Sequence, residues 1–128
     1  MRSAADDTVS GIIEKWSASF NKLDAEALAS LYSKSALFFG SNPTLYCGRD
    51  GVAAYFKALP RWSSPTVAFT DVVVAPVGPD VINVAGTASF VVDEGATTLS
   101  VKITWVIVRE DGDWKIVSHH VSSKDPLI

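Results

Sequence analysis

The two imidazoles of the chain stand side by side, at His119 and His120 in Trp114-Lys115-Ile116-Val117-Ser118-His119-His120-Val121-Ser122-Ser123. Imidazole titrates near neutrality, so each can act as general acid or base, as a metal ligand, or as a hydrogen-bonded core residue. Neighbouring side chains of a strand leave by opposite faces, so the pair cannot readily grip one ion. No Cys-x-x-Cys or His-Glu-x-x-His accompanies them, and the sequence predicts neither a metal site nor a cofactor. Asp71 interrupts the apolar run Val67-Ala68-Phe69-Thr70-Asp71-Val72. A lone buried carboxylate is costly, so Asp71 either reaches an edge or, if it lies inside, becomes the acidic partner of His120. Cys47, the single thiol, has no activating neighbours in the sequence and excludes an internal disulfide.

These groups are positioned by a helical front third and a strand-rich remainder. Val9, Ile12, Ile13, Trp16, Phe20 and Leu23 recur at helical spacing behind the acidic Asp6-Asp7, which predicts a first helix with one buried face. Asp24 predicts the cap of a second, short helix carrying Ala27, Leu28, Leu31 and Tyr32. A third helix is expected from about Arg49, with Val52, Tyr55, Phe56 and Leu59 as its stripe and Pro60 as its stop. Residues 36–40 between the second and third helices predict a short strand, and 66–77, 81–92 and 97–109 predict three long ones. The fold class is α+β: three helices packed on a strongly curved antiparallel sheet, in one domain spanning 1–128.

Asp111-Gly112 is a strong two-residue hairpin signal. Counted outward from that turn without interruption, Trp105 falls opposite Ser118, Ile103 opposite His120 and Thr104 opposite His119. Residues opposite one another share a face. His120 is therefore expected to face inward with Trp105 and Ser118, and His119 to face outward with Val106. Val106 and Val108 add a second apolar face that the helices do not cover, which predicts a homodimer built through the outer sheet face.

Composition narrows the partners. Eleven basic and fourteen acidic residues give a net charge of −3, which argues against nucleic acid or an anionic membrane. No stretch approaches the roughly 20 apolar residues of a membrane span, and the opening MRSAADDTVS has no leader pattern. The expected location is cytoplasmic.

The order of elements, the opening Gly48-Arg49-Asp50-Gly51-Val52 of the third helix, its Tyr55-Phe56 pair and the ending Asp111-Gly112-Asp113-Trp114-Lys115-Ile116-Val117-Ser118-His119-His120-Val121-Ser122 together resemble the nuclear transport factor 2-like superfamily. Within it, the chain is similar to the association domain of calcium/calmodulin-dependent protein kinase II and to related stand-alone bacterial proteins near the SnoaL-like polyketide cyclases. The resemblance implies a cystatin-like cone with a pocket on the concave side of the sheet. Thr87 and Trp105 stand where the association domain carries pocket arginines, and the strand at 36–40 offers no carboxylate of the kind that ketosteroid isomerase and the cyclases use.

In such a cone the expected pocket wall comprises Trp16 and Phe20 from the first helix, Tyr32 and Tyr55 from the other two, and Phe39 and Trp62. Thr87, Ser89, Trp105, Ser118 and His120 complete it from the strands. His120 is the candidate catalytic residue, with Asp71 as its candidate partner; core packing is the alternative for each. An aromatic pocket with few polar groups suits a hydrophobic small molecule. The expected function is homodimeric small-molecule binding, extending to an isomerase, dehydratase or cyclase reaction. A non-catalytic oligomerisation module is the alternative.

Overall fold

The structure, a computed structural model, describes residues 3–128. Met1 and Arg2, which open the stretch read above for a leader, lie outside the described residues. Helix α1 (Ala4–Asn21) begins in a capping box. Ser3 Oγ accepts from the Asp6 backbone N–H at 3.1 Å, and Asp6 Oδ2 accepts from that of Ser3 at 3.1 Å, which satisfies amides left without helical partners. Its buried face is Val9, Ile12, Trp16 and Phe20, as the spacing predicts. Helix α2 (Ala25–Ala29) is capped by Asp24, whose Oδ1 accepts from the Ala27 amide at 3.1 Å.

The second helix stops three residues short of the expected Tyr32. Ser30 Oγ bonds the Ala27 carbonyl at 2.6 Å, and the Leu31 carbonyl accepts from the Ile116 amide at 2.9 Å. The chain is thus drawn into the sheet, and Tyr32 becomes the first residue of β1 (Tyr32–Phe39) rather than a helical one. A three-residue strand β2 (Leu45–Cys47), not foreseen in the sequence, precedes α3 (Gly48–Lys57). The long strands β3 (Thr66–Pro76), β4 (Val81–Val92), β5 (Thr97–Glu110) and β6 (Asp113–Ser123) follow the expected segments closely.

The sheet order is β2-β1-β6-β5-β4-β3. All pairings are antiparallel except that of β1 with β6, which is parallel. A mixed sheet is therefore found where the meander pattern suggested a wholly antiparallel one. The α+β class stands: α1 lies against β3, and α3 lies against β1 and α2. Between helices and sheet sits one apolar core, with Ile82, Val84 and Ala88 from β4, Ile103, Trp105 and Ile107 from β5, and Ile116 from β6.

Glu110, at the end of β5, ties three elements together. Its Oε1 accepts from Ser33 Oγ at 2.7 Å and its Oε2 from Arg49 Nη2 at 3.1 Å. Arg49 Nε in turn donates to the Tyr32 carbonyl at 2.9 Å. The Ser33 hydroxyl foremost, helped by the Lys34 amide and the Arg49 charge, holds the Glu110 carboxyl below the usual carboxylate range.

Candidate functional site

Asp111 and Gly112 both take positive φ, 53° and 79°, as a two-residue hairpin turn requires. The expected register holds from that turn as far as Ile107 opposite Ile116. There it breaks. Val106 pairs with Ser118, so Val117 is an extra residue on β6. A one-residue bulge exchanges the faces of everything beyond it. Trp105 consequently lies opposite His119, and Thr104 opposite His120.

The histidine assignment is thereby corrected. His119 points into the core, 4 % exposed. His120 lies on the outer face, exposed, with its ring 5.6 Å from that of Phe39. Ser118 and Phe39 share that outer position, because β1 pairs Leu37 with Ser118, Phe38 with His119 and Phe39 with His120. On β4 the buried alternation runs through Ile82, Val84 and Ala88, which turns Thr87 and Ser89 outward; Ser89 Oγ meets Ser100 Oγ at 3.0 Å. Asp71 is exposed, with φ of 53°, at a register shift in β3 between Thr70 and Val73. It reaches the surface and is no partner for either histidine.

Of the remaining expected residues, Tyr32 is fully buried outside the cavity lining, and the other five do come together. Trp16, Phe20, Tyr55, Trp62 and Trp105 line a cavity of about 110 Å³ on the helix side of the sheet, and His119 is part of its wall. The sequence reading missed Phe38, Phe56, Phe69 and Phe90, which complete the aromatic wall. Phe69 and Phe90 carry a signal that could have found them, since each keeps the period-two alternation of its strand. Phe38 could not be separated from Phe39 without the β1–β6 register. The rings interlock: Trp16 stacks on Phe20 at 5.5 Å and meets Phe56 and Phe69 edge-on at 5.8 and 5.6 Å. Such pairs each contribute about 0.5–1.5 kcal/mol beyond area burial. Ser41 and Leu99 are the exposed members of the wall, which places the mouth between the turn after β1 and the start of β5.

Behind the wall runs a buried polar relay. Trp16 Nε1–H donates to Tyr32 Oη at 3.1 Å, and Tyr32 Oη meets His119 Nδ1 at 2.8 Å. The imidazole lies parallel to Phe38, 4.5 Å between centroids, and edge-on to Trp105 at 5.7 Å. Burial, with the nearby His120 adding to it, pushes the His119 pKa down to about 3, so the ring is neutral at physiological pH. Burial likewise pushes the Tyr32 phenol up. Two buried nitrogens among the described residues have no hydrogen-bond partner: His119 Nε2 and Trp105 Nε1. Each such group costs about 1–3 kcal/mol of desolvation. No group of three or more metal-ligating side chains occurs among the described residues, and the wall contains no carboxylate, lysine or arginine.

Residues 9–126 match the family model described as a SnoaL-like domain. No curated protein matches the chain. Among solved structures, a Xanthomonas campestris protein provisionally assigned as a calcium/calmodulin-dependent protein kinase II association domain superposes with a TM-score of 0.85 at 21% identity, covering 99% of this chain and 91% of that one. A Novosphingobium aromaticivorans protein provisionally assigned as a scytalone dehydratase gives 0.82 at 14% identity, covering 93% and 83%. A third structure, an NTF2-like protein with a cystatin-like fold from Novosphingobium aromaticivorans, gives 0.80 at 15% identity, covering 94% and 82%. The likenesses bear out the nuclear transport factor 2-like, cystatin-like fold.

Proposed function

The chain belongs to the SnoaL-like domain family, and from that premise we propose that it binds a compact, largely apolar small molecule in the aromatic cavity. The observation that carries this reading is the wall itself: about 110 Å³ enclosed mostly by rings, with no charged side chain among them. An apolar cavity of about 150 Å³ accommodates a benzene-sized guest, so the space matches one ring rather than a large substrate. Burying on the order of 200 Å² of ligand surface contributes about 5 kcal/mol before association costs.

Family membership and the scytalone dehydratase-like neighbour support an isomerase, dehydratase or cyclase reaction on a hydrophobic metabolite. The group placed to contact such a substrate is His119, not His120. The test is a binding screen of ring-sized hydrophobic compounds beside Ala88→Leu, which fills the cavity from a buried wall position. Hits lost in Ala88→Leu support the reading, and a screen without hits in the wild type defeats it.

The outer sheet face favours a second copy of the chain as partner. Leu37 and Phe39 are 52% and 39% exposed there, beside the half-buried Val106 and Val108. Sedimentation of Val106→Lys checks this: a dimeric wild type and a monomeric variant are expected, and unchanged sedimentation rejects the face. A dimer that binds none of the screened compounds returns the function to an association module.

A further inference from the structure

Trp62 stands between two openings of the molecule. On one side it forms part of the wall of the aromatic cavity. On the other it borders a polar cleft, open to solvent, with Pro60, Arg61, Ser63, Asp93 and Glu94. No other residue borders both, so this indole separates an apolar interior from a charged exterior. Asp93 and Glu94 lie in the β4–β5 connection, a few residues before Leu99. The cleft therefore opens at the same end of the sheet as the cavity mouth.

The deeper rings of the wall are locked, and Trp62 is not. Trp16 stacks on Phe20 and meets Phe56, Phe69 and Phe90 edge-on, at 5.5–6.1 Å. Among the described residues, Trp62 meets the Phe20 ring alone, at 6.4 Å and tilted by 48°. It is half-buried, whereas Trp16 and Trp105 are 3% and 1% exposed. Its backbone belongs to residues 58–65, which lie outside helix and strand. Arg61 Nη2 pins that segment to the Leu23 carbonyl at 2.9 Å, and the Trp62 amide turns back onto the Pro60 carbonyl at 3.0 Å. Sparse packing on an irregular backbone is what inexpensive local opening requires. The other side chains of the mouth are better held: Ser41 Oγ meets Tyr55 Oη at 2.8 Å, and Leu99 is paired with Phe90 in the sheet.

We propose that Trp62 is the door of the cavity: its indole swings into the polar cleft to admit or release a ligand, then returns to close the apolar space. This rests on the reading that the cavity is a binding site, and it adds the route into that site. A ring-sized guest fills about 110 Å³, so its passage requires part of the wall to move aside. Entry and exit both proceed through the open form, so a door slows the two together. A fixed wall residue behaves differently. Truncating it weakens the complex and acts through dissociation, leaving association nearly unchanged.

The test uses benzene as the probe, with association and dissociation rates taken from NMR exchange on the intact protein. In Trp62→Ala both rates should rise by about tenfold or more. Arg61→Ala changes an exposed side chain and releases the segment from Leu23, and it should also raise both rates. An association rate in Trp62→Ala equal to that of the wild type, with dissociation alone faster, overturns the door and leaves the binding cavity standing. Benzene bound by none of the three proteins overturns both. If Trp62→Ala does not fold, Arg61→Ala decides: an association rate equal to that of the wild type then overturns the door.

Discussion

The hydroxyl of Tyr32 and Nδ1 of His119 lie 2.8 Å apart across 87 residues of sequence, joining the first residue of β1 to the one inward histidine. Both side chains are almost wholly buried, at 0% and 4% exposure. The bond determines which imidazole nitrogen faces away from Tyr32, so the site is defined by a contact outside its own wall.

Tyr32→Phe removes that hydroxyl and strands two buried groups, Trp16 Nε1 and His119 Nδ1. Each unsatisfied group costs about 1–3 kcal/mol. A loss of at least about 2 kcal/mol is expected in urea unfolding, with an unchanged m-value. A loss below half of that shows that the relay contributes little to the fold.

The two histidines should respond oppositely to truncation. His119→Ala opens a buried space between Phe38 and Trp105 and should cost about 2–4 kcal/mol. His120→Ala, on the exposed face, should change stability by less than about 0.5 kcal/mol in the monomer. Equal effects would return His120 to the core.

His119 also makes stability pH-dependent. Its pKa is about 3 when folded and about 6.5 in an unfolded chain. Below about pH 6.5 the unfolded state takes up a proton that the folded state refuses. Stability is therefore lost as pH falls from about 6.5 toward 3, by up to about 1.4 kcal/mol per pH unit, and is retained above that window. Denaturant unfolding at several pH values, repeated with His119→Gln, isolates the contribution: the slope should flatten in the variant.

Gly40 is required by Tyr55. A Cβ at position 40 would stand 2.4 Å from the Tyr55 ring, whose hydroxyl also accepts from the Ser41 amide at 2.9 Å. Gly40→Ala should cost about 1–3 kcal/mol through overpacking and shift the Tyr55 ring resonances, measured by thermal unfolding and NMR. An unchanged melting point would show that Tyr55 moves freely.

Much of the scaffold was legible because its signals are local. Capping residues, helical stripes and the Asp111-Gly112 turn each act over a few positions, and α1, α3 and the four long strands lie close to where those signals put them. What was hidden depends on distant pairing. Nothing about Val117 in the sequence marks it as the extra residue of β6, since a valine suits a flat strand as well as a bulged one. That residue decides which histidine enters the core. Tyr32 was misplaced because Leu28, Leu31 and Tyr32 keep helical spacing, while the hydrogen bond from Ile116 that claims the segment for the sheet comes from the far end of the chain. Phe38 and Phe39 are chemically alike, and their separation into wall and outer face is made by β6.

The parallel pairing of β1 with β6 also sets the order of events during synthesis. Phe38 and His119 are neighbours in the sheet but about eighty residues apart along the chain, and closing so long a loop precedes any reward from the contact. Helices α1 and α3 can form while the nascent chain is still growing. The inner wall cannot, because its imidazole arrives on the last strand. A ribosome-bound chain halted in the Asp111-Gly112 turn would hold Tyr32 and Trp16 with no histidine to meet them. The aromatic wall is therefore closed only when β6 docks, as the last strand of the sheet to be made.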